Sequence, residues 1–287
     1  MPITASQVKE LREQTGLGMM DCKKALGETE GNMAKAIEYL RKKGAAVAQK
    51  RMGREAKEGK VVLTHTGAAV VAVDINCETD FVAASDDFKN FSHQVISIAS
   101  KEMPADVDTL SKMTVEGKTI DELKTDIMGK LGEKITIRRL VVEKLGPQDF
   151  AETYSHMGGK IGVILKLSAD NPIEPSSEIS TLAKDLAMQV AACNPLSIDR
   201  EGISQDILEK EKEIYREITI KEGKPAQIVD RIVEGRLKKF FQENCLQEQI
   251  FIKDTKMTVE SLINQKAKPL KLNNLRISAF HRLQLGQ

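Results

Sequence analysis

The chain has 287 residues, and 43 Lys and Arg residues balance 42 Asp and Glu residues, which leaves a formal net charge of +1. This balance excludes the bulk positive field that supports nonspecific binding of nucleic acid or of an anionic membrane. The longest purely apolar run, residues 68–73, is too short to cross a bilayer, and the first residues show no signal peptide. We therefore expect a soluble, non-secreted protein of two or three compact units.

Three short helices are predicted in the first 44 residues. Thr4 and Gln7 form a capping box ahead of the first helix, and Gly16 ends it. Asn32 caps the third helix, and Gly44 is predicted to stop it. Because three helices of this size bury little surface, we expect this unit to be suited to docking.

A charged stretch follows these helices. Weak periodicity in residues 45–60 predicts a charged linker, which we place at residues 51–60 after an amino-terminal domain of residues 1–50. An RNA-binding interpretation would rest on the basic residues in and beside this stretch, namely Lys50, Arg51, Arg54, Lys57 and Lys60. Interleaved Glu55 and Glu58, together with the balanced net charge, favour a solvated linker instead.

Residues 61–145 predict the first half of an α+β core. Two strand-like runs, residues 61–63 and 69–73, are separated by Thr66 and Gly67, which predicts a β-hairpin. Amphipathic helices follow, and the β-branched run of residues 135–142 predicts a closing strand.

The second half of the chain repeats this plan. Residues 156–161 resemble residues 65–70, and a strand, helices and a closing strand are predicted after them in the same order. We therefore expect a duplicated α+β core with small antiparallel sheets, its second half formed by residues 146–203 and 244–287. Residues 204–243 show two amphipathic stripes around a short turn, which predicts an inserted antiparallel coiled-coil hairpin.

The chain lacks the sequence motifs of common enzymes and metal sites. It contains no P-loop, no Gly-x-Ser-x-Gly, no His-Glu-x-x-His and no Gly-x-Gly-x-x-Gly. Its four cysteines are far apart and include no Cys-x-x-Cys pair, so we expect four buried, reduced thiols and no metal site. A binding protein without a cofactor is therefore favoured over an enzyme.

Two short segments are unusual for structural residues. In the first, Met19 and Met20 stand between a glycine loop and two lysines, and at least one of these methionines is expected to close the small core. The second follows a predicted strand, and its Asp80 suits the cap of a helical turn. The neighbouring Phe81 fits a core position or a projecting wedge, and composition does not choose between them.

Both segments resemble the signature stretches of the elongation factor Ts family, which are nucleotide-exchange factors for the GTPase elongation factor Tu. The first signature matches residues 19–26 (MMDCKKAL) and the second matches residues 78–82 (ETDFV). The opening helices are similar to ubiquitin-associated domains. The resemblance runs almost end to end and includes residues 130–133, 155–158, 234–236 and 238–240.

The resemblance implies a cytoplasmic protein that needs no cofactor and makes no covalent bond. It implies binding to elongation factor Tu carrying GDP, displacement of Mg²⁺ and release of GDP so that GTP can bind, without direct contact with nucleic acid or membrane. The family's intruding segment maps to Thr79, Asp80, Phe81 and Val82. The other partner contacts that it implies are Arg12, Met19, Met20, Lys23, Leu131, Gly132 and His156.

An adaptor protein is the alternative from a different functional class. A ubiquitin-associated-like unit with a structural coiled coil accounts for residues 1–44 and 204–243. It leaves residues 79–82 without a role. The two interpretations differ in one measurable respect, because an adaptor binds its partner without changing the rate of nucleotide release.

Overall fold

The amino-terminal unit consists of three helices around a small apolar core, and the computed structural model describes residues 3–287 of the chain. The helices are α1 (Ala5–Thr15), α2 (Met19–Glu28) and α3 (Met33–Arg51). The predicted capping box of Thr4 and Gln7 is confirmed, and Gly16 ends α1 in the left-handed conformation. Asn32 caps α3 as predicted.

Helix α3 is longer than the sequence predicts. The predicted stop at Gly44 is wrong, because α3 continues to Arg51. Gly44 instead lies at a crossing with helix α7 (Ile120–Leu131), where a Cβ atom built on Gly129 would lie 2.7 Å from the Gly44 Cα atom. The two glycines thus allow the two helix backbones to approach closely. The first strand begins at Glu58, so only residues 52–57 separate it from α3.

The first half of the core is a three-stranded antiparallel sheet covered on one face by helices. The predicted hairpin is confirmed as β1 (Glu58–Thr66) and β2 (Ala69–Cys77), and β5 (Ile135–Lys144) pairs with β2 on its other side. Alternate residues of β2, including Val73 and Ile75, pack against α5 and α7. The elements between β2 and α7 are α4 (Asp80–Ala84), α5 (Asp86–Glu102), α6 (Val107–Lys112), β3 (Thr114–Val115) and β4 (Lys118–Thr119).

The second half has the same sheet plan. Strands β6 (Asp149–His156) and β7 (Ile161–Ser168) form a hairpin, and the closing strand β10 (Arg276–Gln284) pairs with β7. In both sheets the second hairpin strand is therefore central. The remaining elements are α8 (Ser177–Cys193), α9 (Gln205–Lys221), α10 (Ala226–Asn244), β8 (Ile250–Phe251), β9 (Asp254–Thr258) and α11 (Val259–Ala267).

The two sheets pack against each other through a small apolar cluster that includes Val61, Val70 and Ile164. A polar contact joins them as well, since Arg139 of β5 donates to Asp74 at 2.8 Å and to the carbonyl of Gln284 at 2.6 Å. Because Asp74 is fully buried, this pairing offsets the cost of removing its charge from water. The fold is thus mixed α+β with small antiparallel sheets, as the sequence predicts.

Helices α9 and α10 form an antiparallel pair that is inserted between α8 and the last strands. Val229, Val233 and Leu237 of α10 are buried along the contact, and Tyr215 of α9 packs on them. Over the part of the chain that the structure describes, no helix combines the length and the apolar character needed to cross a membrane.

The cysteines differ from the expectation in one case. Cys22, Cys77 and Cys245 are buried free thiols, whereas Cys193 is free and exposed. The prediction of four buried thiols is therefore wrong for Cys193, because this residue is the last of α8 and faces solvent where the helix ends. Within residues 3–287, no group of three or more His, Cys, Asp or Glu side chains is arranged to hold a metal ion.

Candidate functional site

The 79–82 segment starts where β2 ends and forms the first turn of the short helix α4. Thr79 is the N-cap, because its hydroxyl accepts a hydrogen bond from the Val82 amide at 3.3 Å. The prediction that Asp80 caps this turn is wrong, since Asp80 is already the first residue of the helix and its side chain is exposed. A cap must precede the first turn with an extended backbone, and Thr79 fulfils this condition.

Phe81 projects from this turn into solvent. It is 84% exposed, whereas the next residues, Val82 and Ala83, are partly buried against the core of the first half. A large aromatic side chain gains nothing for folding at such a position. The structure therefore answers the question that composition leaves open: Phe81 is not a core residue.

Glu133 anchors the first residue of the 79–82 segment through two hydrogen bonds. The Thr79 hydroxyl donates to one carboxylate oxygen of Glu133 at 2.7 Å, and the Thr79 amide donates to the other at 3.0 Å. Glu133 directly follows Gly132, which ends α7 in the left-handed conformation and turns the chain toward β5. Leu131 and Gly132 therefore lie beside the 79–82 segment, and both are partly exposed.

A buried thiol holds the same segment through its backbone. The Cys77 thiol donates to the Thr79 carbonyl at 3.1 Å. Burial raises the pKa of Cys77 to about 12, and the neighbouring Glu133 and Glu58 carboxylates add to this shift. The thiol consequently keeps its proton at neutral pH and remains a hydrogen-bond donor.

Glu78 connects the segment with the amino-terminal unit. Its carboxylate accepts hydrogen bonds from Arg51 at 3.0 Å, from Arg54 at 3.2 Å and from the backbone amide of Lys134 at 2.8 Å. Burial by itself raises the pKa of Glu78, but the amide and the two guanidinium groups outweigh it and hold that pKa below its usual range. The solvated-linker interpretation is therefore wrong for Arg51, which is drawn to a carboxylate distant in sequence.

The loop before α2 lies against the end of α7. A Cβ atom built on Gly16 would lie 2.7 Å from the Lys130 Nζ atom, and Lys130 in turn pairs with Asp87 at 2.6 Å. Lys130 immediately precedes Leu131 and Gly132. The end of α7 thus lies between this loop and the 79–82 segment.

Met19 and Met20 begin α2 and are both exposed, at 55% and 75%. The expectation that one of them closes the small core is wrong, because Leu17 packs against that core from the preceding loop. Arg12 and Lys23 are exposed on the same unit. All four residues are therefore accessible to a partner.

His156 lies at the end of β6, where its ring is exposed and stacks on Tyr154 with the ring centroids 5.9 Å apart. The adjoining hairpin tip contacts the start of β1, since Lys160 pairs with Glu58 at 3.4 Å. Glu58 is opposite Cys77 in the sheet. His156 is thereby brought to the sheet edge from which the 79–82 segment emerges.

Sequence reasoning missed three residues at this edge, namely Glu78, Glu133 and Met157. All three lie inside stretches on which the family resemblance rests, residues 78–82, 130–133 and 155–158, and this position is the signal that was available. Met157 follows His156 and is 65% exposed, so it adds apolar surface to the hairpin tip.

Known proteins resemble this chain over most of its length. The sequence model of the family described as Elongation factor TS matches residues 78–287. The chain is 44% identical to the Elongation factor Ts of Chlorobium phaeobacteroides (strain BS1) over 293 residues, which cover 99% of both proteins. It is 42% identical over 288 residues to that of Clostridium botulinum (strain Alaska E43 / Type E3), covering 99% of this chain and 93% of the relative. With a family match and full-length relatives in hand, we conclude that the chain belongs to the elongation factor Ts family.

Proposed function

We propose that this protein is a non-enzymatic guanine-nucleotide exchange factor for elongation factor Tu. It binds elongation factor Tu carrying GDP, displaces the Mg²⁺ of that GTPase and promotes GDP release so that GTP can bind. The observation that carries this proposal is the 84% exposure of Phe81 on a segment that is anchored on both sides. Membership of a family of translation elongation factors supports the choice of partner.

The segment has the properties of a preformed wedge. Moving a Phe side chain from water into an apolar slot of the partner contributes about 1.5–3 kcal/mol. Glu133 and Cys77 already hold the backbone of Thr79, so little conformational entropy is lost when the segment enters the slot. Asp80, exposed beside Phe81, adds a directional polar contact.

The wedge acts on the elements of the GTPase that hold its nucleotide. GTPases bind nucleotide through Mg²⁺ and a phosphate-cradling loop, and both depend on correctly placed switch elements. An intruding side chain that shifts these elements weakens the coordination of Mg²⁺ and the phosphate contacts. Linkage makes the effect reciprocal, so incoming GTP weakens the binding of the factor and releases it without an energy source.

A second set of contacts strengthens the complex. We assign to this set Arg12, Met19, Met20 and Lys23, which contact another helix of the GTPase. Leu131, Gly132 and His156 provide further contacts. Exposed methionines suit this role because their flexible, polarisable side chains adapt to an apolar surface.

The domain organisation belongs to the same proposal. We keep the predicted division but narrow the linker from residues 51–60 to residues 52–57, because α3 ends at Arg51 and β1 begins at Glu58. The ubiquitin-associated-like domain then ends at residue 51 and the first core half covers residues 58–145. The second core half covers residues 146–203 and 244–287, and residues 204–243 form the coiled-coil hairpin. The separate core of α1–α3 and the buried seam between α9 and α10 support these assignments. The protein works in the cytoplasm and contacts neither nucleic acid nor membrane directly.

Release of a fluorescent GDP analogue from elongation factor Tu tests the proposal. The complex is mixed with excess unlabelled GDP and increasing amounts of the protein, and release is followed by fluorescence. Saturable acceleration of release is expected. Binding without any acceleration at saturating concentration would identify an adaptor and contradict the proposal.

A further inference from the structure

Glu78 has a role that its position beside the 79–82 segment does not by itself explain. Its side chain is only 12% exposed, and it accepts from two guanidinium groups and one backbone amide. The groups it binds come from three different places, since Arg51 ends α3, Arg54 lies in the following turn and Lys134 precedes β5. One carboxylate therefore ties the amino-terminal unit to the base of the exposed segment.

The turn after α3 is held to the same point by a second set of bonds. The Lys134 Nζ atom donates to the carbonyl of Met52 at 2.7 Å and to that of Arg54 at 2.8 Å. Lys134 thus binds the turn with its side chain while its amide binds Glu78. These contacts fix the end of α3 relative to the first half of the core.

A separate ion pair joins α3 to α7, and it is weaker than the link through Glu78. Arg41 and Glu122 are 3.8 Å apart, and their side chains are 57% and 49% exposed. Exposed pairs of this kind contribute little because solvent screens them and their side chains lose entropy. The crossing of Gly44 and Gly129 gives close contact between the backbones but no directional bond. The Glu78 carboxylate is the better-shielded link.

We propose that Glu78 is a positioning residue, which holds the amino-terminal helices and the 79–82 segment in one relative arrangement so that a single partner contacts both at once. This inference rests on the proposed function. Two contact patches held in a fixed relation bind as one surface, since the second patch is already in place when the first has docked. In this proposal Glu78 does not itself contact the partner. It acts through its ion pair with Arg51 and through its chain neighbour Thr79.

Loss of the Glu78 carboxylate is expected to weaken binding to elongation factor Tu without changing the maximal rate of GDP release. In E78Q the side chain keeps its size, but the neutral amide no longer pairs with the two guanidinium groups. If the competent arrangement falls to about a tenth of the population, the apparent Kd for elongation factor Tu rises about tenfold. The rate at saturation is expected to stay unchanged, because Glu133 still anchors Thr79.

The experiment titrates fluorescent-GDP release with the wild type, E78Q, R51Q and the control K57Q. R51Q breaks the same link from a more exposed residue, which keeps the test valid if E78Q does not fold. K57Q is the matched control, since Lys57 is a neighbouring cation whose ion pair is with exposed Glu55. A tenfold higher half-saturating concentration for E78Q and R51Q, with the wild-type maximal rate and an unchanged K57Q, supports the proposal. An unchanged half-saturating concentration, or a loss confined to the maximal rate, overturns it.

A distance measurement provides a readout that needs no partner. Spin labels are attached to K9C on α1 and K101C on α5 in a C193S background, at positions that are exposed. A narrow distance distribution is expected in the wild-type sequence and a broader one after E78Q or R51Q. Identical distributions overturn the positioning role even if exchange is stimulated. Failure of the wild type to stimulate release would instead reject the proposed function and leave the distance result intact.

Discussion

Replacing Phe81 with Ala separates a wedge from a core residue most directly. Because the side chain is 84% exposed, its removal is expected to change the free energy of unfolding by less than about 0.5 kcal/mol. The melting temperature should therefore shift by no more than about 2 °C. A core Phe replaced by Ala would instead cost about 3–5 kcal/mol.

The same substitution is expected to impair the exchange reaction strongly. Interface aromatics of this kind contribute at least about 2 kcal/mol to binding. This loss corresponds to roughly thirtyfold weaker interaction with the state of the GTPase that the wedge stabilises. At a subsaturating concentration of the factor, GDP release should slow by more than about tenfold, which stopped-flow fluorescence measures.

The control is Ile250→Ala, which removes another exposed apolar side chain from the second half of the core. This variant should retain both the melting temperature and the release rate. A large fall in the melting temperature of the Phe81→Ala protein would refute the assignment of Phe81 to the surface. Wild-type release rates with that variant would refute the wedge.

The remaining predictions concern the metal, the second contact and acid stability. Chelating Mg²⁺ should accelerate spontaneous GDP release from elongation factor Tu, so the factor should increase the release rate by a smaller ratio. The Asp80→Ala, Phe81→Ala double variant should lose most of its stimulation of release at high Mg²⁺ and less of it in chelator. Stimulation that is independent of Mg²⁺ would contradict metal displacement. Met20→Ala should raise the half-saturating concentration without changing the melting temperature, because Met20 is 75% exposed, and an unaltered titration would remove it from the contact. Glu78 has a lowered pKa in the fold, so its stabilisation is present above the unfolded value of 4.5 and is lost as the pH falls through the folded value. Denaturation curves should accordingly show a smaller loss of stability on acidification below that pH for Glu78→Gln than for the wild type, and equal losses would show that the carboxylate contributes nothing.

Local rules predicted the secondary structure well. The capping box of α1, the hairpin at Thr66 and Gly67, and the repeat of that hairpin in the second half are all present. These signals lie within a few residues of the structure they specify, because caps and tight turns are formed by neighbouring backbone groups. Caps and tight turns can therefore be recognised from the sequence alone.

Some of the errors arose where the role of a residue depends on one that is distant in the sequence. A glycine such as Gly44 is typical of a helix end, but here it lies inside α3, where it allows the close approach of Gly129. Arg51 reads as part of a charged linker, but its partner Glu78 becomes a neighbour only after β2 has folded. Thr79 and Glu133 are similarly separated by 54 positions in the chain. Spacing along the sequence does not contain such pairings.

The two matching sheets bear on how many partner-binding segments the fold can carry. Within its own sheet, each central strand ends on the side away from its hairpin turn, so the two halves have corresponding chain positions, one after β2 and one after β7. Only the first carries a protruding helical turn, since residues 169–176 follow β7 without a helix. Under the proposed function, the protein therefore uses one of two corresponding chain positions for partner contact. Transplanting residues 79–84 onto the second attachment point would give one chain two wedges, each at the end of its own sheet.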